Sequence, residues 1–113
     1  MGVPHMATAN YWLSFMVATE RSAAKGVESL RRQSIYAAVQ VFDSGYWDET
    51  TSFILFEADD DIDVVGKAVV AGLDSDLDLL ILRKVSSASA RYWGKVTQPT
   101  SLGGYVANIA RLR

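Results

Sequence analysis

Asp59, Asp60 and Asp61 stand together with Asp63 two positions on, and Asp74, Asp76 and Asp78 alternate along a short polar stretch. Carboxylates so spaced could gather a hard divalent cation on oxygen ligands. The second run opens like a calcium loop, but an EF-hand needs glycine at its sixth position and glutamate at its twelfth. This chain has Leu79 and Val85 there, so the pattern fails. The first run suits the start of a helix, where acids offset the partial positive charge of the backbone N–H groups. Both runs are therefore read as capping and loop residues, with no metal site. Ser86, Ser87 and Ser89 could be nucleophiles only with Lys84 or Lys95 as base; a small polar connector is the simpler reading. Tyr11-Trp12 and Tyr46-Trp47 could line an aromatic pocket, although such residues more often pack a core or a dimer.

Arg91-Tyr92-Trp93 and Lys95, with Arg83 and Lys84, form the candidate interaction surface. Aromatic rings can stack on unpaired bases while cations hold phosphates. The alternative is an edge strand whose rings cover the core and whose charges discourage edge-to-edge pairing.

The rest of the composition narrows the chemistry further. The 113-residue chain is one small domain's worth. It has no cysteine, which excludes disulfide scaffolds, thiolate zinc sites and thiol nucleophiles. Its one histidine, His5, lies in Met1–Met6, which reads as a vector remnant over residues 1–5 with Met6 as the native start. The remaining chain then offers no imidazole for acid–base work or metal ligation. No catalytic residue, metal ligand or cofactor is assigned. No apolar stretch reaches the roughly 18–20 residues of a membrane span, and the segment Tyr11–Ala18 lacks the flanks of a signal peptide. A cytoplasmic protein with no membrane partner is expected.

The net charge of −2 conceals a layout in three blocks. Residues 6–42 carry four cations and two acids. Residues 43–78 carry eleven acids against Lys67 alone, and residues 79–113 carry six cations and no acid. The basic block could meet a polyanion, or the acidic block of its own or a neighbouring protomer.

These groups must be positioned by a small set of elements. Tyr11–Ala18 is aromatic and β-branched, and apolar on both pleat faces, which predicts a central strand. A helix follows from Ser22, with Thr19 or Ser22 as cap. Ala24, Val27, Arg31, Ile35, Ala38, Val39 and Phe42 recur at three- and four-residue steps, interrupted only by Arg31. Ile35–Phe42 would also suit a strand. Asp43-Ser44-Gly45 is a stop, Tyr46–Thr50 and Thr51–Glu57 are strands, and a second helix runs to Leu73 with Ile62, Val65 and Val69 on one face. Leu77–Val85 is a strand and Ala90–Val96 an edge strand. Thr97–Gly104 is turn-rich, and Tyr105–Arg113 is expected as a short terminal helix with Tyr105, Ile109 and Leu112 inward.

The order strand, helix, strand, strand, helix, strand predicts an α+β, ferredoxin-like βαββαβ sandwich over residues 6–96, with residues 97–113 as a tail or short helix. Two helices would cover one face of an antiparallel sheet. The other face, fed by nearly all-apolar strands, would need a partner or the C-terminal tail.

The Tyr11-x-x-Ser14-Phe15 strand, the Ser52-Phe53 strand and the Asp-rich lead into Leu79–Leu82 resemble the small ferredoxin-like endoribonucleases. These include the nuclease antitoxin of type V toxin–antitoxin systems and, more remotely, the CRISPR adaptation nuclease. The resemblance covers roughly residues 10–85 and implies an RNA substrate. The CRISPR relative has a metal-binding aspartate at the end of its first strand, where this chain has Met16, Val17 and Ala18, so that metal chemistry is not carried over.

The expected function is thus a homodimeric regulatory or accessory module acting through protein contacts, with itself or another protein as partner. RNA binding or endoribonuclease activity is the first alternative, and a small-ligand domain the second.

Overall fold

The computed structural model describes residues 8–85 and 89–113. Residues 1–5, read as a vector remnant, and Ser86 and Ser87, weighed as nucleophiles, lie outside the described residues. The described residues form an α+β fold with six strands and three helices. In chain order these are β1 (Ala9–Met16), α1 (Glu28–Phe42), β2 (Trp47–Thr50), β3 (Phe53–Ala58), α2 (Ile62–Val70), β4 (Leu79–Lys84), β5 (Ser89–Gly94), α3 (Pro99–Tyr105) and β6 (Ile109–Arg111). One mixed sheet holds the strands in the order β2-β3-β1-β4-β5-β6. All neighbours are antiparallel except β5 and β6.

β1 lies inside the sheet, as its doubly apolar pattern demands, paired with β3 on one side and β4 on the other. Side chains alternate between faces along a strand. Tyr11, Leu13 and Phe15 therefore point one way, with Ile54 and Phe56 of β3 and Leu80 and Leu82 of β4. Onto this face pack Ile35 and Val39 of α1 and Ile62, Val65 and Val69 of α2, and all of them are buried. Asp61 caps α2, its carboxylate accepting from the Val64 N–H at 3.0 Å. Gly66 lets α2 approach β6, because a Cβ there would sit 2.9 Å from Leu112 Cδ1.

Arg31, the one polar residue in the apolar spacing of α1, is fully buried. It meets the equally buried Asp78, Nε to Oδ2 at 3.0 Å and Nη2 to Oδ1 at 3.1 Å. Nη1 also donates to the carbonyls of Glu20 and Gly26, and Nη2 to that of Ala18. Asp78 accepts from the N–H groups of Ala18 and Asp74. Among the described residues no buried side-chain polar atom lacks a partner, which is the condition under which a buried ion pair is tolerated. The hydrogen bonds to Asp78 hold the Arg31 guanidinium charged, raising its pKa against the cost of burial.

This pair explains where the first helix begins. The helix expected from Ser22 starts at Glu28, because Ser22 to Gly26 form a closed loop bridged by reciprocal backbone hydrogen bonds of 2.9 and 3.0 Å. Gly26 turns it at φ +93° and offers its carbonyl to Arg31. Ser22 does not cap the helix; its hydroxyl accepts from Lys25 N–H and donates to Asp74. Ile35–Phe42 is helix.

The C-terminal expectations are corrected. Within turn-rich Thr97–Gly104 a helix begins at Pro99, whose fixed φ suits a first helical position. Residues 105–113 are not a helix: Asn108 at φ 59° redirects the chain, and Ile109–Arg111 pairs in parallel with β5. Leu112 points inward as expected, but Tyr105 is 89% exposed. The open backbone of β5 supplied partners that a three-residue helical end could not match. β5 is therefore not the edge strand it was read to be; β2 and β6 are the edges.

Removing one partner from a buried, hydrogen-bonded ion pair costs about 3–5 kcal/mol, and Asp78→Ala is expected to lose that much in urea unfolding. The double change Arg31→Met with Asp78→Ala should not recover it, because two carbonyls, of Ala18 and Glu20, and two N–H groups, of Ala18 and Asp74, lose their partners. A double mutant as stable as the parent would show that the pair is dispensable. Gly94→Ala should be comparably damaging, since φ is +86° and a Cβ would collide with the Asp78 carbonyl oxygen.

Candidate interaction surface

Alternation along the strands produces two unlike sheet faces. Opposite the helices lie Trp12, Ser14 and Met16 of β1, Phe53, Leu55 and Glu57 of β3, Leu79, Ile81 and Arg83 of β4, and Tyr92 of β5. The core cluster takes none of its strand residues from this face. Trp12 stacks on Phe53 with centroids 5.7 Å apart, and Trp47 meets Phe53 edge-on at 6.4 Å. Met16, Leu55 and Trp47 are 48%, 40% and 39% exposed. Large apolar side chains exposed side by side, rather than singly, mark a contact surface.

The six residues singled out in the sequence divide between the two faces. Arg83 and Tyr92 stand on the open face. Lys84, Arg91 and Trp93 stand on the helix side, Trp93 packed against the core. Arg91 Nε donates to Asp63 Oδ1 of α2 at 2.9 Å. Lys95 follows β5, exposed, its backbone N–H donating to the Asp78 carbonyl at 2.9 Å. The two aromatic pairs are divided in the same way. Tyr11 is core while Trp12 is on the open face, and Tyr46 packs toward Tyr36 while Trp47 meets Phe53. They do not form one pocket.

The acid runs act locally. Asp59 accepts from the Thr8 hydroxyl at 2.7 Å, Asp61 caps α2 and Asp63 holds Arg91. Among the described residues no group of three or more acids or histidines is placed to hold a metal ion. The Asp60 carbonyl accepts from the Tyr11 hydroxyl at 2.8 Å. Burial, with the nearby charges of Asp61 and Asp60, pushes the Tyr11 phenol up to about 12. In the second run Asp74 accepts from the Ser22 hydroxyl at 2.6 Å, and that bond, with the N–H of Asp76, holds its carboxyl below the usual range.

The sequence reading had anticipated the open face as a whole from the apolar strands. It missed a recess between α2, β5 and β6, lined by Lys67, Arg91, Arg111 and Arg113 beside Asp63, because its members are scattered over 51 residue numbers from 63 to 113. No helix of the described residues is long and apolar enough to cross a membrane. No protein-family model matches the chain, and neither a curated protein nor a solved structure matches it.

Two of the shifted groups, Tyr11 and Asp74, titrate toward the ends of the pH range. An unfolded tyrosine ionises from its ordinary value of 10.0, whereas the folded state keeps Tyr11 protonated to about 12. Its contribution to stability is full below pH 10.0 and is lost between there and about 12. Tyr11→Phe should flatten that alkaline decline in pH-dependent urea unfolding. Asp74 acts at the other end: its contribution is present above the ordinary carboxyl value of 3.8 and is lost as pH falls below it. Ser22→Ala should move the acid unfolding midpoint upward.

Proposed function

We propose that the protein is a small homodimeric module, regulatory or accessory, that acts in the cytoplasm through protein–protein contacts. Its core is read as ferredoxin-like, extended by β5, α3 and β6. The strand order β2-β3-β1-β4 with antiparallel neighbours supports that core, since β1-α1-β2 and β3-α2-β4 each leave one strand's gap for the other to fill. The absence of cysteine supports the compartment.

The observation that carries the reading is the open apolar face. Trp12, Phe53, Leu55, Met16, Leu79 and Ile81 adjoin across three neighbouring strands, with Arg83 and Glu57 as its charges. A second copy is the occupant with matching chemistry, because a two-fold axis would set apolar centre on apolar centre and let Arg83 approach the partner's acid. Five strands at about 4.8 Å spacing and six residues at about 3.3 Å make a face roughly 20 Å square. That buries about 800 Å² in total, below the roughly 1,200 Å² at which stable specific interfaces begin and in the range of weak, transient ones. The dimer is accordingly weak and concentration-dependent.

A second reading, RNA binding of the endoribonuclease-antitoxin kind, draws on one specific observation. Trp12 and Phe53 stack as a platform with Arg83 on the same face, an arrangement that suits unpaired bases.

Light scattering at high micromolar concentration should give a mass near twice the monomer. Leu55→Glu, at an exposed position, should return it to monomer while leaving thermal stability within about 0.5 kcal/mol. A monomer at all concentrations would refute the dimer. Salt-sensitive binding of single-stranded RNA, lost in Trp12→Ala and Arg83→Ala, would favour the second reading.

A further inference from the structure

We propose that the recess between α2, β5 and β6 is a binding site for a small oxyanion of the phosphate class. Lys67, Arg91, Arg111 and Arg113 line it, and Asp63 is its one acid. The chain as a whole is acidic, so three cations around one recess, Lys67, Arg91 and Arg113, are not the overflow of a basic surface. Among the described residues Lys67 and Arg113 make no ion pair, and the single carboxylate is already engaged by Arg91. Crowded like charge of this kind is answered by a bound anion.

One of the guanidinium groups is held in the recess before any ligand arrives. Arg91 is fixed by Asp63 at 2.9 Å and by the Ala90 carbonyl at 2.8 Å, without exhausting its five donors. The Arg111 guanidinium is turned to the open face, over the Tyr92 ring at 4.8 Å from its centroid and toward the Gly94 carbonyl, so it is not one of the recess donors. Side chains ordered in advance lose less entropy on binding. Lys67, one turn along α2 from Asp63, and Arg113 add cations at the rim. The recess, open on one side, measures about 230 Å³, less than the roughly 300–1,000 Å³ of sites for larger ligands. That admits a phosphate group or a small phosphomonoester. Guanidinium forks match the geometry of such oxyanions better than that of chloride.

The test is calorimetric titration of the full chain with inorganic phosphate at low ionic strength, followed by amide NMR shifts. Saturable one-to-one binding is expected, with a Kd of about 1 mM or tighter and shifts centred on Arg91, Ala110 and Arg111. Lys67→Ala, an exposed helical change that keeps the circular dichroism spectrum, should weaken binding roughly tenfold. Lys95→Ala, outside the recess, should leave it unchanged. Glycerol phosphate in a parallel titration distinguishes the sources: tighter binding identifies an organic phosphomonoester, and equal binding the free ion. The proposal is overturned by an unsaturable titration, by equal loss in Lys67→Ala and Lys95→Ala, or by no loss in either. It is also overturned if single-stranded RNA displaces phosphate with a steep salt dependence, or if Lys67→Ala abolishes self-association in a protein that binds no phosphate.

Discussion

The buried pair of Arg31 and Asp78 is the contact on which the arrangement of this chain depends. Asp78 receives hydrogen bonds from α1, from the end of β1 and from the loop before β4, and its own carbonyl receives the N–H that follows β5. Arg31 returns them to the carbonyls of the β1–α1 connection. An ion pair removed from water stabilises little in itself, since desolvation offsets most of the attraction. Its effect is selective. Any other register of β4 against β1, or rotation of α1, would leave a charge and several backbone groups buried without partners. The Ser22–Gly26 loop and the tight approach at Gly94 are consequences of bringing carbonyls to that one guanidinium.

With α1 and α2 committed to one face, the other face of the sheet keeps what its strands carry. Strands that are apolar on both sides normally lie between two covering layers. Here the described helices that build the core supply one, and Trp12, Phe53, Leu55 and Met16 are left on the other side. The reading as an interaction module rests on this imbalance.

Folding also sorts the charge blocks. The acidic middle of the sequence supplies the β2 edge, with Asp48 and Glu49, while the basic end supplies β5 and β6 at the opposite edge. α2 crosses between them and carries Asp63 and Lys67 to the basic side, where Asp63 holds Arg91. Part of the charge separation seen along the chain is thus cancelled locally at Asp63 and Arg91, and the remaining cations are divided between the open face and the recess.

Local chemistry sufficed for several features. The central position of β1 was legible because only a strand flanked on both sides tolerates apolar residues at both parities. The stop at Asp43–Gly45 and the acid-capped start of α2 were legible because turn and capping preferences act within a few residues. The absence of thiol chemistry is a matter of composition. Arg31 carried a readable signal too, standing at a buried position of the helical repeat, but its partner lies 47 residues away and no local rule names it. The fate of residues 105–113 was decided only in the fold, since a short segment has little helical preference and takes whatever backbone partners an open neighbour offers. The division of Arg83 and Tyr92 from Lys84, Arg91 and Trp93 followed from strand alternation once the pairing was set. The cationic recess exists only because a parallel β6 brings Arg113 near Lys67 and Arg91, a proximity that depends on tertiary packing and leaves no periodic trace in the sequence.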